Sequence, residues 1–117
     1  MALVEAGSTI KGLSKTKVFQ TYGHREENEL KEDFPAILIS NLHLNAGSWK
    51  DKLKSIDRRA IKAAQDNRVL ILRIEDLIFY WYKINYLDGS KEEFLKTLFS
   101  ESGWLEVKKK DGTIQLH

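Results

Sequence analysis

An acidic residue at the end of an apolar strand is the first candidate for chemistry in this sequence. Glu5 follows the apolar residues Leu3 and Val4, and a loop rich in Gly, Ser and Thr comes next and carries Lys11. A carboxylate at the end of a central strand is well placed to bind Mg²⁺, because hard cations take oxygen ligands and keep open coordination positions. Metal-dependent hydrolysis of a phosphodiester also needs a second acid and usually a lysine. Taken alone, Glu5 is better explained as a solvated carboxylate.

Two other local patterns are weak signals of chemistry. The loop GSTIKG, Gly7 to Gly12, does not match the phosphate-binding pattern G-x-x-x-x-G-K-[ST], because Leu13 follows it. His24 and His43 lack the sequence spacing of zinc ligands, so a metal site built on them would depend on spatial proximity. His43 follows an apolar strand, at the edge where open α/β sheets bind ligands. A flexible turn and a surface histidine are the simpler interpretations.

The candidate nucleic-acid-binding residues are basic and fall in two segments: Lys15, Lys17, Arg58, Arg59 and Lys62. The second segment, together with Lys50, Lys52 and Lys54 upstream, is the densest basic cluster of the chain and is suited to phosphate contacts. Asp57 and Asp66 are interleaved with it, which is also typical of a solvated helix face. Both interpretations stay open from the sequence.

The composition limits the classes of function. The chain has 117 residues, with 19 Lys and Arg against 17 Asp and Glu, and a net charge of +2. This total gives no signature of polyanion binding, although charges can segregate onto one face. Absence of Cys excludes disulfides and thiolate zinc sites and is typical of a reducing compartment. The longest apolar run, Leu77 to Tyr82, is too short to span a bilayer, and the N-terminus lacks the pattern of a signal peptide. We therefore expect a soluble, cytoplasmic single domain that does not bind membranes.

The order of apolar segments predicts an α/β fold. Strands are predicted at Ala2 to Ala6, Phe34 to Ile39 and Val69 to Ile74, and the last two are continuous enough to be covered on both faces. Ser14 is the predicted N-cap of a first helix. Apolar residues at helical spacing predict a second helix from Ile56 to Ala64. The alternation favours a small, mostly parallel three-stranded sheet flanked by helices and joined by right-handed crossovers.

The remaining segments are predicted from their capping and turn residues. The polar segment Ser40 to Leu53 is predicted to be a loop. Asp76 is the predicted N-cap of a helix, Leu77 to Leu87, with aromatic side chains on nearly every side. Ser90 and Glu93 form the capping box of the next helix. The surplus of aromatic surface favours a partner or dimer interface.

The last segment predicts a β-hairpin. Gly103 is predicted to end the preceding helix in a left-handed conformation. The residues after it alternate in polarity around Asp111 and Gly112, which is typical of a hairpin turn. Lys108 to Lys110 precede that turn and are suited to a solubilising edge. A C-terminal helical pair and hairpin therefore follow the sheet.

Several short motifs mark the ends of these elements: Val4-Glu5-Ala6-Gly7, Ser14-Lys15 through Val18 to Gln20, Ile39-Ser40-Asn41, Ala60 to Ala64, Val69 to Ile74 and Glu75-Asp76-Leu77. Their order, from Val4 to Val107, resembles the C-terminal half of the restriction-endonuclease-like nuclease superfamily, the PD-(D/E)xK fold. The resemblance lies in pattern and order rather than in one long motif.

The resemblance implies a nuclease-like domain that binds DNA or RNA and uses Mg²⁺. Glu5 then corresponds to a catalytic carboxylate and metal ligand, and Gln20 to the glutamine of the family's helix. The family's catalytic lysine would fall at Gly7, so Lys11 or Lys15 would have to replace it. The family's first catalytic Asp would lie upstream of the matched segment. We therefore expect one domain over residues 1–117, degenerate or incomplete on its N-terminal side, with weak or absent hydrolysis.

Two other functions stay open from the sequence. The scaffold suits a non-catalytic interaction domain that dimerises through the aromatic helix and the hairpin. Residues Leu77 to His117 also have the element order of a winged helix, although Lys91 and Lys96 are the only basic residues of its second helix. Missing upstream strands would leave an unpaired edge at Leu3 to Glu5, so we expect a homo-oligomer or a partner subunit.

Overall fold

The computed structural model of the chain describes residues 2–9, 11–31, 34–109 and 111–117. These residues form one five-stranded sheet: β1 (Leu3–Ser8), β2 (Ala36–Asn41), β3 (Val69–Arg73), β4 (Gly103–Val107) and β5 (Ile114–Leu116). The strands lie in sequence order, with β1 to β4 parallel and β5 antiparallel to β4. Five helices connect them: α1 (Lys15–Glu27), α2 (Trp49–Lys52), α3 (Arg58–Asp66), α4 (Ile74–Tyr86) and α5 (Lys91–Ser100).

The sheet is larger than the sequence predicted. The α/β class, the mostly parallel sheet and the C-terminal hairpin are confirmed. However, the first hairpin strand pairs with β3, with Leu70 opposite Gly103 and Ile71 opposite Trp104, so the sheet has five strands rather than three. Gly103 begins this strand with φ +102°, and a Cβ there would collide with the carbonyl oxygen of His117. The predicted role of Gly103 as a helix end is therefore wrong, since Glu101 caps α5.

Helices cover both faces of the sheet. Residues of α1 and α3 pack on one face with alternate strand residues: Val18, Ala60, Ala64, Leu38, Ile71 and Trp104. Residues of α4 and α5 pack on the other: Leu77, Phe94 and Leu98 with Ile37, Leu70, Leu72 and Leu105. Because β1 to β4 step across the sheet in one direction, connections on opposite faces have opposite hands. The predicted right-handed crossovers therefore do not describe all three connections.

Capping explains where the helices begin. The side chains of Ser14 and Ser90 accept hydrogen bonds from the backbone N–H groups of Lys17 and Glu93, which confirms both predicted N-caps. Asp76, in contrast, is not an N-cap, because α4 begins two residues earlier at Ile74. Its carboxylate is fully buried and accepts a hydrogen bond from the backbone N–H of Arg73.

Two further expectations concern turns. The segment predicted as a loop from Ser40 to Leu53 contains α2, whose N-cap is Ser48. The hairpin turn is confirmed, with Lys108 N–H donating to Thr113 O at 2.9 Å and Gly112 at φ +70°. Lys110, part of the predicted lysine run, lies outside the described residues.

None of the helices in the described ranges has the length and apolarity that crossing a membrane requires.

Candidate nucleic-acid interface

Lys17 of α1 lies across Gly7 of β1. A Cβ built at residue 7 would lie 3.3 Å from Lys17 Cε and 3.7 Å from its Nζ. Because Gly7 has no side chain, the side chain of Lys17 can extend across this position. Gly7 is also the position at which the resemblance places a lysine. A helix residue thus carries an ammonium group to the strand end where a strand lysine was expected, a replacement that the sequence analysis had assigned to Lys11 or Lys15.

A pocket of about 280 Å³ opens beside this lysine, at the C-terminal ends of β1 and β2. Lys17, Gln20 and the buried Ser40 line it, together with small residues that mostly carry hydroxyl groups: Gly7, Ser8, Thr9, Gly12, Leu13, Ser14 and Thr16. The C-terminal ends of parallel strands are where α/β sheets bind ligands. One ammonium group with several hydroxyl and amide donors suits an anionic oxygen ligand such as a phosphate.

Glu5 is engaged by a histidine of the same helix. The Oε1 atom of Glu5 lies 2.5 Å from Nδ1 of His24, and the two side chains are 24% and 42% exposed. Local sequence patterns do not predict this pair, because the two residues are 19 positions apart. One signal was available, since Lys17, Gln20 and His24 recur at three- and four-residue spacing and so share a helix face. Glu5 is therefore an ion-paired or hydrogen-bonded carboxylate rather than a solvated one.

The residues around Glu5 do not complete a Mg²⁺ site. Glu5 supplies one carboxylate, and one of its oxygens already contacts His24. Within the described ranges, no three His, Asp or Glu side chains converge as metal ligands. Mg²⁺ demands near-octahedral oxygen coordination. No step of a metal-dependent reaction therefore follows from these residues.

The backbone of Lys11 hydrogen-bonds two neighbouring loop segments. Its N–H lies 3.2 Å from Thr9 Oγ1, and its carbonyl accepts a hydrogen bond of 3.2 Å from the N–H of His43. The His43 ring packs against Gly12, with Cε1 3.5 Å from the position of a Cβ there. The Lys11 side chain is exposed and lies outside the pocket lining. Gln20 and Lys17 are thus brought together, whereas Lys11 is placed apart from them.

Two further depressions lie beside α1 and α3, on the same face of the sheet. The first, about 350 Å³, shares the Gly12–Ser14 loop with the pocket and adds Lys15, Asp57 and Arg59. The second, about 510 Å³, includes Arg58 and Lys62 of α3. Each of the predicted nucleic-acid-binding residues therefore lines the pocket or one of these two depressions. We call them the basic strip: Lys15, Lys17, Arg58, Arg59 and Lys62.

The acidic residues on the strip make exposed ion pairs. Arg59 Nε lies 3.4 Å from Asp57 Oδ1, and Lys62 Nζ lies 3.2 Å from Asp66 Oδ2. Hydrogen bonding from the backbone N–H of Arg59 holds the pKa of Asp57 below its ordinary value, and the Arg59 side chain acts in the same direction. Exposed ion pairs of this kind contribute little to the stability of the fold, so breaking them costs little free energy. A phosphate can therefore compete for the two cations.

Comparisons with protein-family models, curated protein sequences and solved structures find no match for this chain. The resemblance to the restriction-endonuclease-like superfamily therefore stays a prediction. The binding of nucleic acid by the basic strip stays a prediction as well.

Proposed function

We propose that this chain is a cytoplasmic, nuclease-like domain that binds DNA or RNA through the basic strip and hydrolyses it weakly or not at all. The observation that carries the proposal is the convergence of two separate basic segments. Lys15 and Lys17 begin α1, and Arg58 to Lys62 begin α3. Lys15 and Arg59 line one shared depression, and Lys17, Arg58 and Lys62 line two others on the face of the sheet that α1 and α3 cover.

This arrangement accounts for binding by a chain whose net charge is only +2. Nucleic-acid affinity depends mainly on the cations that neutralise phosphates locally. Among the described residues, Lys15, Lys17 and Arg58 make no ion pair, so their charges are available to a ligand. Phosphates following the strip would meet the ammonium group of Lys17 at the pocket and the guanidinium groups of α3 farther along.

The state of Glu5 supports weak or absent hydrolysis. A catalytic carboxylate that binds a metal must present its oxygens to the ion. In this chain the nearest polar partner of Glu5 is the imidazole of His24, at 2.5 Å. The resemblance implies Mg²⁺ as a cofactor, and the residues present supply an incomplete ligand set for it. Binding without turnover is the function these side chains support best.

A salt titration tests the proposed function. A fluorescently labelled duplex of DNA, or of RNA, is titrated with the protein between about 50 and 200 mM salt. If several strip residues contact phosphates, the logarithm of the association constant falls linearly with the logarithm of salt concentration, with a slope of about −3 to −5. Absence of binding at the lowest salt, or a slope near zero, would overturn the proposal.

Self-association is a second candidate function, favoured by the exposed aromatic side chains of α4. Trp81 and Tyr86 are 58% and 65% exposed, and Tyr82 packs against Tyr86 with ring centroids 5.0 Å apart. β1 is also an edge strand, paired with β2 alone in the described part of the chain. We propose a second copy as the partner. Sedimentation equilibrium should show a concentration-dependent dimer that Trp81→Ser with Tyr86→Ser dissociates, and a monomer at all concentrations would contradict it.

The winged-helix alternative is not favoured by the topology. That fold needs α4, α5 and the hairpin to form a unit of their own. β4 is instead hydrogen-bonded into the main sheet beside β3. The basic strip lies on the opposite face, over α1 and α3.

A further inference from the structure

The imidazole of His117 is held flat against a buried indole. Its ring centroid lies 4.5 Å from that of Trp104, with 15° between the planes. Its Nε2 lies 2.8 Å from Oε1 of Glu106, and the backbones of His117 and Trp104 exchange two hydrogen bonds of 2.9 and 3.1 Å. Trp104 is buried, whereas the His117 side chain is 27% exposed. The ring therefore has a fixed orientation and a surface that a ligand can reach.

The indole beneath this imidazole is itself rigidly placed. Its Nε1–H donates to Asp76 Oδ2 at 3.0 Å, and the guanidinium carbon of Arg73 lies 4.8 Å from the ring centroid. Asp76 also accepts from the backbone N–H of Val107 at 3.0 Å, so α4 and β4 are joined at this point. The support of His117 is thus ordered before any ligand arrives, which lowers the entropic cost of binding.

His117 lines the same groove as two cations of the basic strip. This is the depression of about 510 Å³, and its lining also includes Ile61, Gln65 and the buried Trp104. Arg58 makes no ion pair with any described residue, and the Lys62–Asp66 pair is exposed. Aromatic surface, an amide and two cations in one groove match the three parts of a nucleotide: the base face, the base edge and the phosphate.

We propose that this groove binds an unpaired nucleotide of single-stranded DNA or RNA, with its base stacked on His117 and its phosphates at Arg58 and Lys62. The proposal rests on the proposed function and deepens it, since it names single strands as the preferred ligand of the strip. Bases inside a duplex are already stacked and cannot reach the imidazole. Single strands therefore gain a contact that duplexes lack.

The test compares a short single strand that contains 2-aminopurine with a duplex of the same sequence. Wild-type protein should bind the single strand more tightly and change the 2-aminopurine fluorescence as the base stacks. His117→Ala should weaken single-strand binding by about tenfold and duplex binding by less than about twofold. His117→Phe keeps an aromatic face and loses the contact with Glu106, so it should bind the single strand nearly as well as wild type.

The outcomes separate this inference from the proposed function. If wild type binds both ligands equally, leaves the 2-aminopurine signal unchanged and is unaffected by His117→Ala, the stacking site is wrong while binding through the strip stands. If neither ligand binds with salt dependence, both proposals are overturned. If His117→Ala fails to fold, the wild-type complex still tests the inference, because an unchanged 2-aminopurine signal would show that no base stacks.

Discussion

The side chain of Lys17 lies over Gly7, with its Cε atom 3.3 Å from where a Cβ would stand. This relationship places a helix ammonium group at the end of β1, in a pocket that also contains Gln20. The resemblance implies a lysine at position 7 of the strand. This chain has Gly7 there, and Lys17 extends to the same place from α1. The proposed interface begins at this point.

We expect Gly7→Ala to weaken nucleic-acid binding while leaving the fold intact. The new methyl group would displace the flexible end of Lys17, so binding should fall a few-fold. The free energy of unfolding should rise or fall by no more than about 1 kcal/mol, because Ala suits a strand interior better than Gly. Binding isotherms and urea denaturation measure the two effects.

Gly47→Ala is the matched control for this variant, because a Cβ at Gly47 meets no atom within 4 Å. It should leave binding unchanged. Equal effects of the two substitutions on binding would show that the position of Lys17 is unimportant.

The second prediction concerns the ion pair of Lys52 with Glu75. Glu75 is 3% exposed, and neither of its carboxylate oxygens accepts a hydrogen bond from the described residues. The ammonium group of Lys52 lies 3.3 Å from Glu75 Oε1 and also contacts Asn41 Oδ1 and Leu42 O. Lys52→Met should lower the free energy of unfolding by about 3–5 kcal/mol, because it leaves a buried charge uncompensated.

Lys52→Met combined with Glu75→Leu should recover much of that loss, since no buried charge remains. Lys62→Met is the control, because it breaks the exposed pair with Asp66 and should cost at most about 1 kcal/mol. Urea denaturation of the four proteins measures these differences. A loss of stability in Lys52→Met no larger than that in Lys62→Met would show that Lys52 does not compensate the charge of Glu75.

The third prediction is a pH dependence at Glu106. Burial acts to raise the pKa of Glu106, but hydrogen bonds from His117 and Lys108, with the nearby charges of Lys108 and Arg73, hold that pKa below its ordinary value of 4.5. A lowered pKa means that these contacts stabilise the fold above pH 4.5. Their contribution is lost as the pH falls through the folded-state pKa.

Glu106→Gln should therefore destabilise the protein at pH 7 more than at about pH 2, where wild-type Glu106 is protonated in both states. Glu101→Gln serves as a control, because its carboxylate makes no hydrogen bond or ion pair among the described residues. Thermal unfolding across this range measures the effect. A difference between Glu106→Gln and wild type that stays constant with pH would contradict the assignment.

The fourth prediction concerns hydrolysis at Glu5. With Mg²⁺ or Mn²⁺ and excess protein, labelled DNA and RNA should be cut at trace level or not at all, and Glu5→Ala should behave as wild type. The reason is that Glu5 stands as a single carboxylate bonded to His24. Metal-dependent cleavage that disappears in Glu5→Ala would show a working nuclease and refute this part of the proposed function.

Local features of the fold could be predicted from the sequence. Ser14 and Ser90 are helix caps because a cap depends on residues two or three positions away. Val69–Arg73 is a strand buried on both faces, as the unbroken apolar run from Val69 to Leu72 indicates. The hairpin turn at Gly112 depends on a few neighbouring residues in the same way.

Features that join distant residues could not be predicted. Asp76 looks like a helix cap in sequence, but it bonds Trp104 and Val107, which are 28 and 31 positions away. The pair of Glu5 with His24 depends on how α1 passes beside β1. The basic residues were identifiable by type, whereas their alignment follows from the packing of α1 against α3. Local sequence patterns do not reveal such long-range pairings.

The most direct test of the central claim compares the salt dependence of DNA binding in two charge-matched sets of variants. Lys17→Gln with Arg58→Gln removes two cations from the basic strip. Lys91→Gln with Lys96→Gln removes two from α5 on the opposite face of the sheet. We predict that the first pair flattens the slope of log K against log salt by about 2 and that the second leaves it unchanged. Equal slopes for the two pairs, or a larger effect at α5, would contradict the account.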